Sequence, residues 1–129
     1  MASIFTRIIE GDIPSYKVHE DDKFIAFLDI NPLKSGHTLV VPKEEIDYIF
    51  DLPEDLLGEI LLFSKEVARK IEAVIECERV GLSVIGLEVP HVHVHLIPMN
   101  SISDMNFARP KLNLSSEFMA DLAQKIKNA

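Results

Sequence analysis

His91-Val92-His93-Val94-His95-Leu96-Ile97-Pro98 is a stretch in which histidines alternate strictly with aliphatic residues. A period of two is typical of a β-strand, whose successive side chains point to opposite faces. We therefore expect a fifth strand between Pro90 and Pro98, with its three imidazoles in a row on one face about 6.6 Å apart. Because a buried polar group without a hydrogen-bond partner costs about 1–3 kcal/mol, we predict that this row lines a polar cleft.

Four more strands are predicted upstream. A hairpin is indicated by two apolar segments around the polar turn Asp21-Asp22-Lys23, and short apolar runs bounded by Gly or Pro indicate the others. The predicted segments are Tyr16–Glu20, Phe24–Leu28, Leu39–Val41 and Val80–Ile85.

Two helices are predicted as well. Apolar residues recur at three-to-four spacing from Leu56 to Ile71, over about five turns, and Asp51 with Glu54 is predicted to form a capping box before them. The tail from Ser115 predicts a C-terminal helix. The expected fold class is α+β, with a mostly antiparallel five-stranded sheet, one long central helix and a C-terminal helix. Met99–Leu114 has no periodicity and is long for a loop, so we expect it to rim the site.

Length and composition bound the class of protein. The 129 residues are 47% hydrophobic and 26% charged, which predicts a single globular domain over residues 1–129. No apolar run is long enough to span a membrane and Cys77 has no partner cysteine, so we expect a cytoplasmic protein without a membrane association. The net charge of −8 argues against nucleic acid as a partner.

The histidine row supports two kinds of chemistry. The three imidazoles could ligate zinc, which would make the protein a metallohydrolase. Alternatively, one imidazole is a nucleophile whose neighbours fix its tautomer and bind a phosphate.

At this point the sequence resembles a known family. His-Val-His-Val-His-Leu-Ile is similar to the histidine triad (HIT) signature, in which histidines and hydrophobic residues alternate. The resemblance continues through Gly11-Asp12-Ile13-Pro14, Ala26–Pro32 and Gly36–Lys43, and it covers residues 3–98. It implies a homodimeric nucleotide-binding hydrolase or nucleotidyl transferase that needs no metal or other cofactor.

The resemblance also implies the role of each site residue. The substrate would be a purine-type nucleoside 5′-monophosphate derivative (a phosphoramidate, a dinucleoside polyphosphate or an adenylate), cleaved at its α-phosphate. His93 would attack phosphorus to form a nucleotidyl-histidine, with its other ring nitrogen held by the backbone carbonyl of His91. His95 would contact the phosphate as a cation, and the side chains of His91 and His37 would support the triad. Asp29 would accept hydrogen bonds from the ribose, and the base would contact Phe5, Ile8, Phe27 and Ile30.

Two departures from the family stand out. Leu87 occupies a position where many relatives carry Gln, in a loop that is shorter here, and an aliphatic side chain cannot donate a hydrogen bond to the leaving group. This departure leaves a third interpretation open, a nucleotide sensor without catalytic activity. Some relatives bind structural zinc through Cys-x-x-Cys near the N-terminus. Ser3 and Thr6 take those positions here, so we expect no zinc there.

Overall fold

A computed structural model describes residues 2–129. Five strands form one sheet in the order β1-β2-β3-β5-β4, and every neighbouring pair is antiparallel. The strands are β1 (Lys17–Glu20), β2 (Phe24–Leu28), β3 (Thr38–Pro42), β4 (Arg79–Ser83) and β5 (Val94–Met99). The predicted α+β fold with a five-stranded antiparallel sheet is confirmed.

Three α-helices accompany the sheet: α1 (Ile4–Ile9), α2 (Glu54–Val74) and α3 (Ser116–Lys127). The long α2 and the C-terminal α3 are the two predicted helices, and α3 begins after Ser115, whose hydroxyl accepts the Phe118 N–H. Two short 3₁₀ turns add Ile49–Asp51 and Ile102–Met105. Residues 2–129 include no helix that is both long and apolar enough to cross a bilayer.

The sheet has two buried faces of different character. Residues of even number on β2, such as Phe24 and Ala26, pack with α2 and α3 in the main core. Their odd-numbered neighbours form a smaller cluster with α1, which comprises Phe5, Ile25, Phe27, Leu39 and Val41. Because side chains alternate across a strand, this smaller cluster lies on the face opposite α2.

The predicted capping box is wrong. Asp51 lies in a 3₁₀ turn, and the N-cap residue of α2 is Pro53, which provides no side-chain cap. Leu52 and Pro53 are both extended, as expected because a residue that precedes proline is disfavoured in the helical region. The extended pair separates the turn from the helix, so Asp51 cannot cap α2.

Two predicted strands are shorter than expected. β4 ends at Ser83, and β5 begins only at Val94. Residues 91–93 do not pair with β3, because their backbone groups bind elsewhere. The chain turns at His91, whose N–H donates to the Val89 carbonyl, and the Val92 N–H donates to the Ile46 carbonyl outside the sheet. The three triad histidines are therefore not a regular row on one face of a strand.

Two glycines allow a test of this backbone geometry. Gly36 has a φ of +93°, and an added Cβ would collide with the Ile75 side chain, whereas Gly58 lies within α2 with no atom near the position of a Cβ. We expect Gly36→Ala to lower the free energy of unfolding by more than about 1 kcal/mol, because both strain and a clash oppose it. Gly58→Ala should raise it by about 0.5–1 kcal/mol, since alanine favours the helix. Urea unfolding measures both, and a shift of the same sign in the two variants would contradict this description.

Candidate active site

His95 is positioned by the register of β5 with β3. Val94 pairs with Val40 and His95 pairs with Leu39. Val94 is fully buried in the α2-side core, so the next side chain, His95, lies on the opposite face with Leu39 and the α1 cluster. The sheet thus places an imidazole on the side where the second cluster leaves room for a ligand.

His93 has one ring nitrogen committed and one available. Its Nδ1 lies 2.8 Å from the carbonyl oxygen of His91. A carbonyl only accepts hydrogen bonds, so Nδ1 carries the proton and the neutral ring keeps its lone pair on Nε2. Nε2 makes no hydrogen bond with any residue between 2 and 129. The ring makes edge contacts with Phe5 and His95, each with a centroid separation of 5.0 Å.

His91 is oriented differently from its two neighbours. Its Nε2 donates to the Pro42 carbonyl at 2.8 Å, and its Nδ1 therefore accepts from the Ser3 hydroxyl at 2.7 Å. Both ring nitrogens are used and the side chain is fully buried, and this burial lowers its pKa. The expectation that all three imidazoles line a polar cleft is wrong, because hydrogen bonds to protein groups let them be buried at little cost.

His37 fixes the tautomer of His95. The Leu33 N–H donates to His37 Nδ1 at 3.0 Å, so the proton of the neutral His37 ring is on Nε2. That Nε2–H donates to His95 Nδ1 at 2.9 Å. The neutral His95 ring then carries its own proton on Nε2, where it is a donor.

Burial keeps these two imidazoles neutral in the absence of a ligand. Loss of hydration lowers the pKa of His37 to about 3 and that of His95 to about 4, and neighbouring positive groups contribute. In the ligand-free protein at neutral pH, His95 is therefore a directed N–H donor and not a full charge. The resemblance implies a cationic His95 beside a bound phosphate, and this role stays a prediction.

Asp29 lies at the mouth of a cavity of about 240 Å³ on the α1 side of the sheet. One carboxylate oxygen accepts the Asn31 N–H at 2.9 Å, and the other lies 3.6 Å from His37 Nε2. Burial raises the pKa of this carboxyl group. The five residues predicted to bind substrate, which are Phe5, Ile8, Phe27, Asp29 and Ile30, all line this cavity.

A second cavity, of about 370 Å³, includes His93 in its wall. Tyr48 and Phe50 on one side and Leu87 on the other are largely exposed there, and Leu87 has 88% of its surface accessible. Asp47 is the acidic residue of this wall, so the cavity offers a mainly apolar lining.

Several neighbours of the site were not predicted individually. The rings of Phe107 and His95 pack edge to face, with 4.8 Å between their centroids. Beside the larger effect of burial, the positive charge of Lys111 acts to lower the pKa values of Asp29, His37 and His95. Phe107 and Lys111 both belong to Met99–Leu114, the loop that was expected to rim the site, but nothing in its sequence indicates which of its side chains face inward. Glu45, which binds Ser3 and Thr6, gave no sequence signal at all.

Among residues 2–129, the donor groups close enough to hold a metal include one histidine of the triad, His95. Within residues 2–129, Asp29, His37 and His95 bring ligand atoms within 4.8 Å of one another, whereas both nitrogens of His91 are occupied. His37 cannot ligate through Nε2 while it accepts the Leu33 N–H on Nδ1, because Nε2 then carries the proton. The observed hydrogen bonds therefore fit a metal poorly at either place.

Comparison with known proteins agrees with the family resemblance and the fold. The family model described as HIT domain matches residues 10–102, and the chain belongs to this histidine triad family. An uncharacterized HIT-like protein of Borreliella burgdorferi is 37% identical, with 95% of this chain and 94% of that protein covered. An adenosine 5′-monophosphoramidase of Schizosaccharomyces pombe is 34% identical, with 99% and 98% covered. The crystal structure of a Hit-like protein from Bartonella henselae has a TM-score of 0.83 at 27% identity and covers 98% of this chain and 95% of that one.

The low pKa values of His37 and His95 predict how stability depends on pH. The unfolded chain takes up these protons near pH 6.5, whereas the folded protein does so only near 3 and 4. The unfolded state therefore binds more protons below pH 6.5, and folding stability is lost as the pH falls. Between pH 7 and 5.5 we expect a loss of about 1 kcal/mol for each imidazole, measured by urea unfolding. His95→Asn should reduce this loss, and an unchanged pH dependence in that variant would contradict the assignment.

Proposed function

We propose that this protein cleaves a nucleoside 5′-monophosphate derivative at its α-phosphate through a nucleotidyl-histidine on His93. The proposal depends chiefly on one observation, the 2.8 Å contact that fixes the proton of His93 on Nδ1 and leaves the Nε2 lone pair available. An imidazole is a nucleophile only through its unprotonated nitrogen. The reaction class is hydrolysis or nucleotidyl transfer.

The chemistry proceeds in two steps. His93 Nε2 forms a bond to the α-phosphorus while the bond from phosphorus to the leaving group breaks, and the leaving group takes a proton from water. A second water then attacks the same phosphorus and gives its proton to the hydroxide left by the first step, the P–Nε2 bond breaks, and His93 returns to its neutral form. His95 Nε2–H donates to a phosphate oxygen, where negative charge builds up in both steps. Lys111, whose positive charge acts on His95, adds to this electrostatic stabilisation.

The cavity beside Asp29 suits the nucleoside. Its apolar walls, formed by Phe5, Ile8, Phe27 and Ile30, provide surfaces against which a purine can pack, and the Asp29 carboxylate can accept hydrogen bonds from ribose hydroxyls. Phe5 contacts both this cavity and the His93 ring, so a nucleoside here brings its 5′-phosphate toward the nucleophile.

The leaving group is best accommodated in the second cavity. Some relatives, among them the one from Schizosaccharomyces pombe, are adenosine 5′-monophosphoramidases. They support a phosphoramidate substrate. The apolar lining and Asp47 also suit an amine better than a polyphosphate chain, which Asp47 would repel. Phosphoramidase activity is therefore preferred over dinucleoside polyphosphate hydrolysis.

A homodimer is proposed with this function. β4 is an edge strand with Leu82 half-exposed, and α2 exposes Leu61 and Leu62 to a similar or greater degree. Apolar residues at an unpaired edge and on an adjacent helix are typical of a subunit interface.

Replacement of His93 provides the primary test. We expect His93→Ala to reduce turnover of an adenosine phosphoramidate by at least about 10³-fold, since the nucleophile is lost, while AMP still binds because the Asp29 cavity is unchanged. His19→Ala is the matched control, because His19 stacks on Phe63 away from the site. A steady-state assay and calorimetric titration with AMP measure the two quantities. Turnover in His93→Ala close to that of the wild type would refute the proposal, and AMP binding by a wild type that turns over no nucleotide derivative would favour a sensor.

The ribose contact can be tested separately. Asp29→Asn replaces one acceptor oxygen with an amide donor, so we expect kcat/KM for the ribonucleotide substrate to fall by about 10-fold or more. A 2′,3′-dideoxy substrate lacks both hydroxyls, so its kcat/KM should differ little between the variant and the wild type. If Asp29→Asn slows both substrates equally, the carboxylate does not recognise the ribose.

A further inference from the structure

A hydrogen-bonded cluster joins the start of α1 to the triad. It consists of Ser3, Thr6, Glu45 and His91, which come from three separate segments of the chain. The Glu45 carboxylate accepts the Ser3 N–H at 2.7 Å and the Thr6 hydroxyl at 2.6 Å. The Ser3 hydroxyl lies 2.7 Å from His91 Nδ1, and both Ser3 and His91 are buried.

The shortest contacts in this cluster, at 2.6–2.8 Å, define one arrangement of protons. His91 Nε2 donates to the Pro42 carbonyl, so Nδ1 accepts from the Ser3 hydroxyl. The Ser3 oxygen in turn accepts the Thr6 N–H, and the Thr6 hydroxyl donates to Glu45. An ionised Glu45 and a neutral His91 complete the set, and the hydrogen bond from the Ser3 N–H lowers the pKa of Glu45. Two longer contacts of 3.4 Å, from the Thr6 hydroxyl to the Ser3 hydroxyl and to His91 Nδ1, are weaker than these.

The cluster restrains the peptide that holds His93. The His91 carbonyl accepts a hydrogen bond from His93 Nδ1, and His91 itself lies outside the sheet ladder. His91 is restrained by the Pro42 carbonyl at the end of β3 and by the Ser3 hydroxyl. The segment after β3 adds a hydrogen bond from the Val92 N–H to the Ile46 carbonyl. Glu45 connects Ser3 back to that same segment, so the two supports of His91 are tied to each other.

The same cluster holds a wall of the nucleoside cavity. Ser3 is the N-cap residue of α1, and Phe5 in the first turn contacts the rings of His91 and His93 at 5.9 and 5.0 Å. A shift of α1 would therefore move Phe5 and the His91 carbonyl together.

We propose that Ser3 and Glu45 are positioning residues for His93. Together they hold the His91 carbonyl in place, and this carbonyl keeps the His93 proton on Nδ1. The catalytic consequence rests on the proposed function, but the effect on the His93 tautomer does not.

The experiment uses four variants of the full chain. Ser3→Ala removes the hydroxyl, and Ser3→Thr keeps a hydroxyl and an N-cap residue. Glu45→Ala removes the carboxylate, and Glu44→Ala is its matched control, an exposed neighbouring carboxylate outside the cluster. Nitrogen-15 NMR of the histidine rings in the ligand-free protein reports the tautomer of His93, and steady-state assays with an adenosine phosphoramidate give kcat.

We expect Ser3→Ala and Glu45→Ala to show a mixture of His93 tautomers and a fall in kcat of about tenfold or more, since small displacements of a reacting group are costly. Ser3→Thr and Glu44→Ala should keep the wild-type tautomer and a kcat within about twofold of the wild type.

If Ser3→Ala does not fold, Glu45→Ala tests the proposal, because the Glu45 side chain is exposed and its replacement leaves the core intact. A wild-type tautomer in the folded variants would overturn the proposal whatever kcat does, and so would an altered tautomer with wild-type kcat. A wild type without turnover would count against the proposed function alone, and the NMR result would still judge the cluster.

Discussion

The hydrogen bond from His93 Nδ1 to the His91 carbonyl is the constraint on which the rest of the site depends. It selects one of two tautomers and so decides which nitrogen has a lone pair. A backbone carbonyl suits this purpose because it accepts and never donates, whereas a carboxylate in the same place would add a charge and raise the pKa of the ring. Residues 91–93 lie outside the sheet ladder, so other contacts must hold this carbonyl in place.

Burial of four imidazoles is the second consequence of this arrangement. His37, His91, His93 and His95 are each less than a tenth exposed. The rings of His37, His91 and His95 belong to two hydrogen-bonded chains. One runs from the Leu33 N–H through His37 to His95, and the other runs from Glu45 through Thr6 and Ser3 to His91 and Pro42. Each chain fixes the direction of its protons, and His95 Nε2–H and His93 Nε2 are left as the donor and the lone pair for a ligand. The site is organised mainly by hydrogen-bond direction and only secondarily by net charge.

Sequence patterns predicted the large elements and failed where tertiary contacts decide. The strands and the two long helices follow from periodicity, and His95 follows from the alternation along β5. His91 departs from that alternation because residues distant in sequence bind it. Its side chain makes hydrogen bonds with Pro42 and Ser3, and the next N–H along the chain donates to Ile46. The charge of His95 also could not be predicted, since it depends on burial by Phe107 and the neighbouring histidines. Resemblance to a family named five expected substrate-binding residues, and the structure places them around one cavity, but the resemblance did not indicate Glu45.

The most direct measurement of the central claim is identification of the atom that bonds to phosphorus. Wild-type protein is mixed with an excess of an adenosine phosphoramidate, quenched within the first turnover in alkaline denaturant to preserve a P–N bond, digested and mapped by tandem mass spectrometry. The account predicts one adenylyl group on the peptide that contains His93, with fragments that place it on that residue. An adenylyl group on another side chain, or turnover with no protein-bound nucleotide at any quench time, would contradict it.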